Sequence, residues 1–435
     1  MGATILTGAL DLFRTGAARI GDCVVVPLLV WLAWQVFFGG TQPLLQQAWW
    51  IGLAGTLTWI ALPGASRVMP LPMFAYAGFV LLSAAVLRWP AVSGTAALPW
   101  WELFRPAASS LVMIVVTLGI AHALRTPRRL AYFAALLCAA ILVMAAQLMF
   151  DRTRTGFLYN EAGPGSMPTV AQWHGLHQVG VLFVIGVPLV LAAVVAPARW
   201  TSAAAALILA LTMMTASFLN GSRSAILAGV LCAVLMLASS IWFANSAHWR
   251  KGLRVALLLA IPLATWYAFA YSSTSMRSIS SLTAGRMPIW VTAVRIAADH
   301  PWIGVGPGNY LGALADGGYG ERHLPRWGSI GSTPTHAHNQ FLQVAAETGI
   351  PSLVCFVWMC GWMVRGCWMA APAMRVRLVA LGVMFAIVGI VIRANYDSII
   401  GGIVGSDRIS LIVWALFGAA TALRGMAVTQ PARAS

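Results

Sequence analysis

The chain has 435 residues, of which 60% are hydrophobic and only 9% are charged, and its mean hydropathy is +0.81. Soluble domains carry roughly a quarter charged residues, so this composition excludes a soluble globular protein and indicates a polytopic membrane protein. The net charge of +16 does not indicate a nucleic-acid partner here, because the basic residues lie mostly in short loops between apolar runs, where they set topology and meet membrane lipids.

Apolar runs long enough to cross a bilayer recur along the chain. A helix needs roughly 20 such residues to span the hydrocarbon core, and the runs predict an all-α, polytopic bundle of about twelve transmembrane helices. We interpret residues 1–435 as a single transmembrane domain. The predicted spans are 21–39, 48–64, 71–88, 107–125, 130–150, 177–197, 202–220, 223–244, 253–271, 352–370, 378–395 and 407–424.

The basic residues predict the orientation of the bundle. When the N-terminus is placed in the cytoplasm, most of the Arg residues in short loops fall on the cytoplasmic side, as the positive-inside rule requires. Most of the acidic residues then fall on the other, outer side. We therefore expect the chemistry of the protein to take place on the outer side.

The first outer segment long enough to contribute to a site comprises residues 151–176. It carries Arg152, Arg154 and His174 among Gly and Pro residues and is predicted to form a loop. Exposed loops often carry such residues without a function, so a purely structural role is the alternative for all three.

The second and larger outer segment comprises residues 272–337. It contains a predicted helix, Met287–Asp299, which follows Arg286 and precedes a glycine-rich turn. The glycines of this turn are not interpreted as a nucleotide-binding loop, because no predicted strand precedes them. We expect the segment to fold over the active site.

A short stretch with two histidines follows this segment. Residues 339–348 lack Gly and Pro, and predict a short helix that ends at Gly349 and Pro351. His338 lies at the start of that helix, where an imidazole can exchange protons near neutral pH. Capping a surface loop is the alternative role for His336 and His338. Metal binding is less favoured, since no Cys or acidic cluster accompanies the pair.

A third outer feature is the short segment Asn220–Ser224 between two predicted spans. It places Arg223 at the start of a helix at the membrane face, where a buried cation needs a partner. The guanidinium groups of Arg223 and Arg286 are always charged and form planar forks that can hold phosphate. Both are therefore candidate anion-binding residues, with a topological or structural role as the alternative.

Three motifs in this order resemble the O-antigen ligase superfamily. They are Thr-x-Ser-Phe-Leu-Asn-Gly-Ser-Arg223-Ser-Ala between two spans, Gly285-Arg286-x-x-x-Trp290 before a Pro-x-x-Gly-x-Gly turn, and His338-Asn339 with Gly349 after nine intervening residues. The resemblance covers about residues 150–400, and the superfamily also contains O-antigen polymerases and protein O-oligosaccharyltransferases. One departure is Gln178, near which the superfamily would have an Asn.

The resemblance implies a membrane-embedded, GT-C-type glycosyltransferase that uses neither a metal nor a cofactor. It would transfer a glycan from undecaprenyl diphosphate to an acceptor hydroxyl at the periplasmic face of the bacterial inner membrane. His338 would be the general base, and Arg223 and Arg286 would hold the diphosphate. The sequence has no Asp-x-Asp pair to bind a divalent ion there. The candidates for substrate binding are Arg152, Arg154, His174, Gln178, His336 and Asn339.

Three functions remain open from the sequence. The favoured one is a ligase that joins O-antigen to lipid A–core oligosaccharide, because the compact chain shows no large additional outer domain. The second is an O-antigen polymerase or a protein O-oligosaccharyltransferase of the same superfamily. The third, from another class, is a transporter or flippase for a lipid-linked sugar, which the absence of an internal repeat disfavours.

Overall fold

The computed structural model describes residues 70–88, 100–155, 176–195, 200–219, 223–243, 286–324, 334, 336–371, 377–397 and 407–429. Within these ranges the chain forms helices and connecting loops, as predicted for an all-α protein. The helices are α1 (Leu71–Arg88), α2 (Trp100–Ala123), α3 (Pro127–Thr155), α4 (Leu176–Val195), α5 (Trp200–Leu219), α6 (Arg223–Phe243), α7 (Met287–Asp299), α8 (Tyr310–Ala315), α9 (Tyr319–His323), α10 (Gln340–Thr348), α11 (Ile350–Ala370), α12 (Arg377–Ala394) and α13 (Asp407–Thr429).

The long apolar helices α1–α6 and α11–α13 coincide with predicted spans. Within the described residues of α1, α2, α4, α5 and α6, the apolar stretches are 10–17 residues long. Within the described ranges, 4 helices are long and apolar enough to cross a membrane: Pro127–Phe150, Ile350–Ala370, Arg377–Ala394 and Ile409–Val428. The chain is therefore a multi-pass membrane protein. The predicted spans 21–39, 48–64 and 253–271 lie outside the described residues, so the total of about twelve stays a prediction.

Helix α4 lies in the middle of the bundle and packs against α5, α6 and α12. Glycines on α12 permit this close packing. A Cβ added to Gly389 would lie 2.5 Å from Cγ1 of Val184 and 2.9 Å from Sγ of Cys232. A Cβ added to Gly382 would lie 3.1 Å from Cα of Leu189. Small residues at helix crossings increase the dispersion contacts that hold membrane helices together.

Helix α11 connects the two halves of the bundle, because it packs against α1, α12 and α13, and α13 in turn packs against α2. Thr117 of α2 donates a hydrogen bond from Oγ1 to the carbonyl oxygen of Trp414 in α13 (3.0 Å). Helix α12 ends, and α11 begins, at the same end of the bundle, which we call the capped end.

A small helical subdomain, the cap, covers this end. It comprises residues 286–324 and 336–349 and therefore contains α7–α10. Helix α10 packs against both α7 and α11, which joins the cap to the bundle. The cap has a hydrophobic core of its own, formed by Ala293, Ile296, Tyr310, Ala313, Leu314, Tyr319, Leu324, Ala337 and Ala346.

The glycine-rich turn after α7 packs directly on the end of α10. Gly304 has φ +65°, and a Cβ there would lie 2.2 Å from the carbonyl carbon of Glu347. The N–H of Gly306 donates to the carbonyl oxygen of Glu347 (2.8 Å). Ser83 of α1 donates from Oγ to the carbonyl oxygen of Ile303 (2.6 Å). The absence of a side chain therefore allows backbone-to-backbone contact that anchors the cap on the bundle.

The structure confirms both short helices predicted for this region, since α7 has the predicted bounds and α10 begins one residue later than predicted. One boundary differs: α3 continues to Thr155 instead of ending at residue 150. Arg152 and Arg154 therefore lie in its final turns and not in a loop. The charged residues end the apolar run but not the helix, because residues 151–155 include neither Gly nor Pro.

Candidate functional site

Residues from three distant parts of the chain meet at the capped end. Arg286 immediately precedes α7, and His336 and His338 lie in the loop before α10. Arg393 is in the last turn of α12, and Asp397 follows four residues later. The packing of the cap on α11 and α12 brings these side chains together around the carboxylate of Asp397.

Asp397 contacts three basic side chains. Its Oδ1 lies 3.6 Å from Nε2 of His336 and 3.6 Å from Nδ1 of His338. Its Oδ2 lies 3.1 Å from Nη2 of Arg393, whose side chain is only 1% exposed. The two imidazole rings lie side by side, with centroids 4.0 Å apart. One carboxylate therefore orients both histidines and is itself held by a buried arginine.

Arg286 reaches the same place from the cap. Its Nη1 donates a hydrogen bond to the carbonyl oxygen of Tyr396, the residue before Asp397. The ring of Trp290, one turn into α7, packs near the ring of Tyr396, with centroids 6.3 Å apart. These contacts hold the guanidinium beside Asp397. Burial lowers the pKa of Arg286, and the carboxylate of Asp397 opposes that change, so the guanidinium stays charged.

Burial acts in opposite directions on the pKa values of Asp397 and His338, but the neighbouring groups leave both pKa values lowered. Burial alone raises the pKa of Asp397, but the two imidazoles and the Arg393 guanidinium outweigh burial and hold this pKa well below its usual range. For His338, burial lowers the pKa below its ordinary value of 6.5. Electrostatic interaction with His336 and with the Arg286 guanidinium lowers the pKa further, and the carboxylate of Asp397 opposes them. The site therefore combines an ionised carboxylate with an imidazole that is neutral near pH 7.

The backbone of His338 is strained. Its φ is 50°, and among the described residues it is the only non-glycine residue with a positive φ. Hydrogen bonds on either side hold this conformation. The N–H of Ala337 donates to Oε1 of Gln343 (2.6 Å), and Oδ1 of Asn339 accepts from two N–H groups in the first turn of α10, at 3.0 and 3.1 Å. Asn339 therefore caps α10 and fixes the loop that presents His338.

Glu347 lies about two and a half helical turns after His338 in the sequence, which makes it a competing candidate for the general base, but its environment in the structure is that of an anchoring residue. It is fully buried. Its Oε1 accepts from Nε2 of Gln343 (2.6 Å) and from the N–H of Tyr310 (3.2 Å). A chain of hydrogen bonds thus runs from Glu347 through Gln343 to the backbone of Ala337. Ala337 lies between His336 and His338 in the sequence. Glu347 is an anchor for the histidine loop.

The hydrogen bond between Gln343 and Glu347 leads to a testable prediction about turnover. In Gln343→Glu, a second carboxylate would face that of Glu347 and the bond between them would be lost. A buried hydrogen bond contributes on the order of 1–2 kcal/mol, so we expect kcat to fall roughly tenfold. The double variant Gln343→Glu/Glu347→Gln exchanges donor and acceptor and should recover most of the turnover. Steady-state kinetics on both variants gives the comparison, and a double variant as slow as the single one would contradict this role.

The other residues predicted from the sequence are placed only in part. Arg223 is the first residue of α6, Gln178 lies in the first turn of α4, and Arg152 and Arg154 lie at the end of α3. The side chains of these four residues, and all of His174, lie outside the described residues. Their roles in substrate binding stay predictions.

The histidine pair has an acidic neighbour that the sequence argument against a metal did not include. The ligand atoms of His336, His338 and Asp397 lie within 4.8 Å of one another, a grouping that could hold a metal ion. The positive charges of Arg286 and Arg393 beside the same carboxylate oppose the binding of a further cation. The arrangement suits an anionic ligand better than a divalent cation.

Sequence reasoning missed Asp397, Arg393 and Tyr396. A signal was present, because Arg393 and Asp397 are spaced by four residues at the end of an apolar run. This spacing allows an ion pair, and an ionisable side chain at that depth in a membrane helix indicates a functional site.

A comparison with known protein families finds a match in the part of the chain that contains Arg286 and the two histidines. Residues 206–357 match the family described as O-Antigen ligase, which confirms the resemblance to that superfamily. The match includes Arg223, Arg286, His336 and His338 and ends before Asp397. No curated protein matches the chain.

Proposed function

We propose, from the match of residues 206–357 to the family described as O-Antigen ligase, that this chain is an O-antigen ligase. It transfers O-antigen polysaccharide from undecaprenyl diphosphate to a sugar hydroxyl of lipid A–core oligosaccharide. The reaction takes place at the periplasmic face of the bacterial inner membrane, beneath the cap. The observation that carries this proposal is the meeting of Arg286, His338 and Asp397 at one end of a membrane bundle.

The arginines act on the leaving group. When the bond between the sugar and the diphosphate breaks, negative charge develops on a phosphate oxygen, and fixed cations stabilise it most because they need no reorganisation. Arg286 is held by the carbonyl of Tyr396 and is partly buried, so its charge acts in surroundings of low dielectric constant. Arg223, at the start of α6, is the second residue proposed to hold the diphosphate.

His338 accepts the proton of the acceptor hydroxyl. Its Nδ1 lies 3.6 Å from Oδ1 of Asp397, so we assign the proton of the neutral imidazole to Nδ1, toward the carboxylate, and the role of the base to the lone pair of Nε2. The acceptor oxygen then forms a bond to the anomeric carbon, and undecaprenyl diphosphate leaves. Asp397 acts as a positioning residue that selects this tautomer, and Arg393 keeps Asp397 in place and ionised.

The pH dependence of the reaction follows from the pKa of His338. The base must be neutral, and burial lowers its pKa below 6.5, so the neutral form persists to lower pH than for an exposed histidine. We expect kcat/KM to stay constant down to below pH 6.5 and to fall only in more acidic buffer. A pH–rate profile of the purified enzyme checks this. An acidic limb centred above pH 6.5 would contradict the assignment of His338 as the base.

A divalent ion is not required by this mechanism, because arginines neutralise the diphosphate. We expect the rate in the presence of excess chelator to equal the rate without it, and added magnesium or zinc to have no effect. The assay uses purified enzyme dialysed against chelator before the donor is added. A loss of activity that returns in proportion to added metal would assign His336, His338 and Asp397 as ligands instead.

Reconstitution tests the proposed function against its alternatives. Purified protein in liposomes receives a glycan linked to undecaprenyl diphosphate and one of three acceptors: lipid A–core oligosaccharide, a second lipid-linked glycan or a serine-containing peptide. A new glycosidic bond on lipid A–core oligosaccharide alone supports the ligase. A bond on the second glycan or the peptide would identify a polymerase or a protein O-oligosaccharyltransferase. Movement of the donor across the bilayer without a new bond would identify a transporter.

A further inference from the structure

The end of the bundle opposite the cap carries a second arginine arrangement, which the proposed reaction does not use. Arg424 belongs to α13, and Arg365 and Trp362 belong to α11, the helix packed against it. Both arginines lie five residues before the end of their helix, about 7 Å along the helix axis. They are thus at the depth where a membrane helix passes from hydrocarbon into the headgroup region.

The side chain of Arg424 is held in a defined position. Its stem packs on Gly366, where an added Cβ would lie 3.1 Å from Cβ of Arg424. Its guanidinium carbon lies 4.3 Å from the centroid of the Trp362 ring, a cation–π distance. Tryptophan is favoured at membrane interfaces. Glycine and tryptophan together therefore orient the planar fork of Arg424.

Among the residues that the structure describes, no carboxylate acts on the positive charge of Arg424. Nε and Nη1 of Arg424 are buried and have no hydrogen-bond partner among the described residues, and the like charge of Arg365 acts on this group. The acidic residues within the described ranges all lie in the cap or at helix ends of the capped end: Glu102, Asp151, Asp299, Asp316, Glu321, Glu347, Asp397 and Asp407. A partly buried cation next to a like charge requires an anion from another source.

We propose that Arg424 and Arg365 bind the phosphodiester headgroup of an anionic phospholipid, with Trp362 packed against the guanidinium that holds it. At a membrane face the phosphodiester is the most abundant anion, and charged N–H groups of a guanidinium form strong hydrogen bonds to phosphate oxygens. The outer edge of the fork is the part available to the headgroup, since Nε and Nη1 are buried against the protein. This site is independent of the proposed transfer reaction.

Retention of lipid by the full-length protein tests the site. The purified protein in neutral detergent is mixed with phosphatidylglycerol, phosphatidylcholine or inorganic phosphate, and native mass spectrometry counts the bound lipid while a melting curve reports stability. We expect phosphatidylglycerol, but not phosphatidylcholine, to remain bound and to raise Tm. Loss of one charged hydrogen-bonding partner should weaken phosphatidylglycerol binding about tenfold in Arg424→Met and in Arg365→Met.

The matched control is Arg128→Met, which removes an exposed arginine from the start of α3 at the same end of the bundle. It should retain phosphatidylglycerol as the unchanged protein does. Because Arg365 is exposed, Arg365→Met reports on the site even where Arg424→Met impairs folding. Equal retention in Arg365→Met and Arg128→Met would overturn the proposal. Inorganic phosphate that raises Tm as much as phosphatidylglycerol does would overturn the assignment to a lipid.

Discussion

Replacement of His338 by alanine is expected to lower kcat by about 10²–10⁴, the usual contribution of a general base, while the affinity for the lipid-linked donor changes little. The base acts on the acceptor hydroxyl in the transition state, whereas the arginines bind the diphosphate in the ground state as well. The measurement is single-turnover rate and donor-binding affinity on one preparation of His338→Ala.

His300→Ala is the matched control for this prediction, because His300 is an exposed histidine of the same cap. It should transfer glycan at the rate of the unchanged enzyme. His336→Ala addresses the neighbouring imidazole, which also contacts Asp397, and we expect a smaller effect than for His338. Lost donor binding with unchanged chemistry in His338→Ala would make this histidine a binding residue.

Replacement of Arg286 by alanine is expected to lower the rate of transfer by at least about 10²–10³, as the loss of a donor that stabilises developing negative charge does in other enzymes. Arg286→Lys should recover little activity, because an ammonium group cannot both donate to the carbonyl of Tyr396 and present a planar fork to phosphate. Arg223→Ala should have a comparable effect. Transfer rates in membranes, normalised to the amount of folded protein, measure all three variants.

Arg295→Ala is the control for Arg286, because Arg286 immediately precedes α7 and Arg295 is an exposed arginine within the same cap helix. It should retain normal transfer, which separates the specific role of Arg286 from a general effect of net charge. A near-normal rate in Arg286→Ala would remove this residue from the site.

Much of the helical structure follows from the sequence, because the length and composition of a membrane helix are local properties. The runs that became α11 and α12 are recognisable without any tertiary information, since the bilayer demands about 20 apolar residues. The cap helices α7 and α10 are also local. Proline follows the first residue of α7, and Asn339 caps α10, so their beginnings are encoded by nearby residues. The end of α3 was harder to predict from the sequence, because a helix can continue past the end of its apolar run.

Some residues of the candidate site could likewise be predicted from the sequence, and others could not. Arg286 and His338 could be predicted, because each belongs to a short motif whose residue types suit the chemistry. Asp397 and Gln343 could not be assigned roles, because those depend on contacts between residues that are distant in the chain or on the fold of the histidine loop. For Glu347, the sequence left only a competing candidate for the base, and its burial and its hydrogen bonds to Gln343 and Tyr310 now favour a structural role.

By itself, the sequence determined that this is an all-helical, multi-pass membrane protein and which residues carry basic and proton-accepting groups. Composition, apolar periodicity and capping residues act over one helix or less, so they can be interpreted along the chain. Only the tertiary structure decided that Arg286, His338 and Asp397 share one place, that Asp397 is held by Arg393, and that the pKa of His338 is lowered. These outcomes depend on burial and on distances of a few ångströms between segments far apart in sequence, and electrostatic interactions are set by such distances.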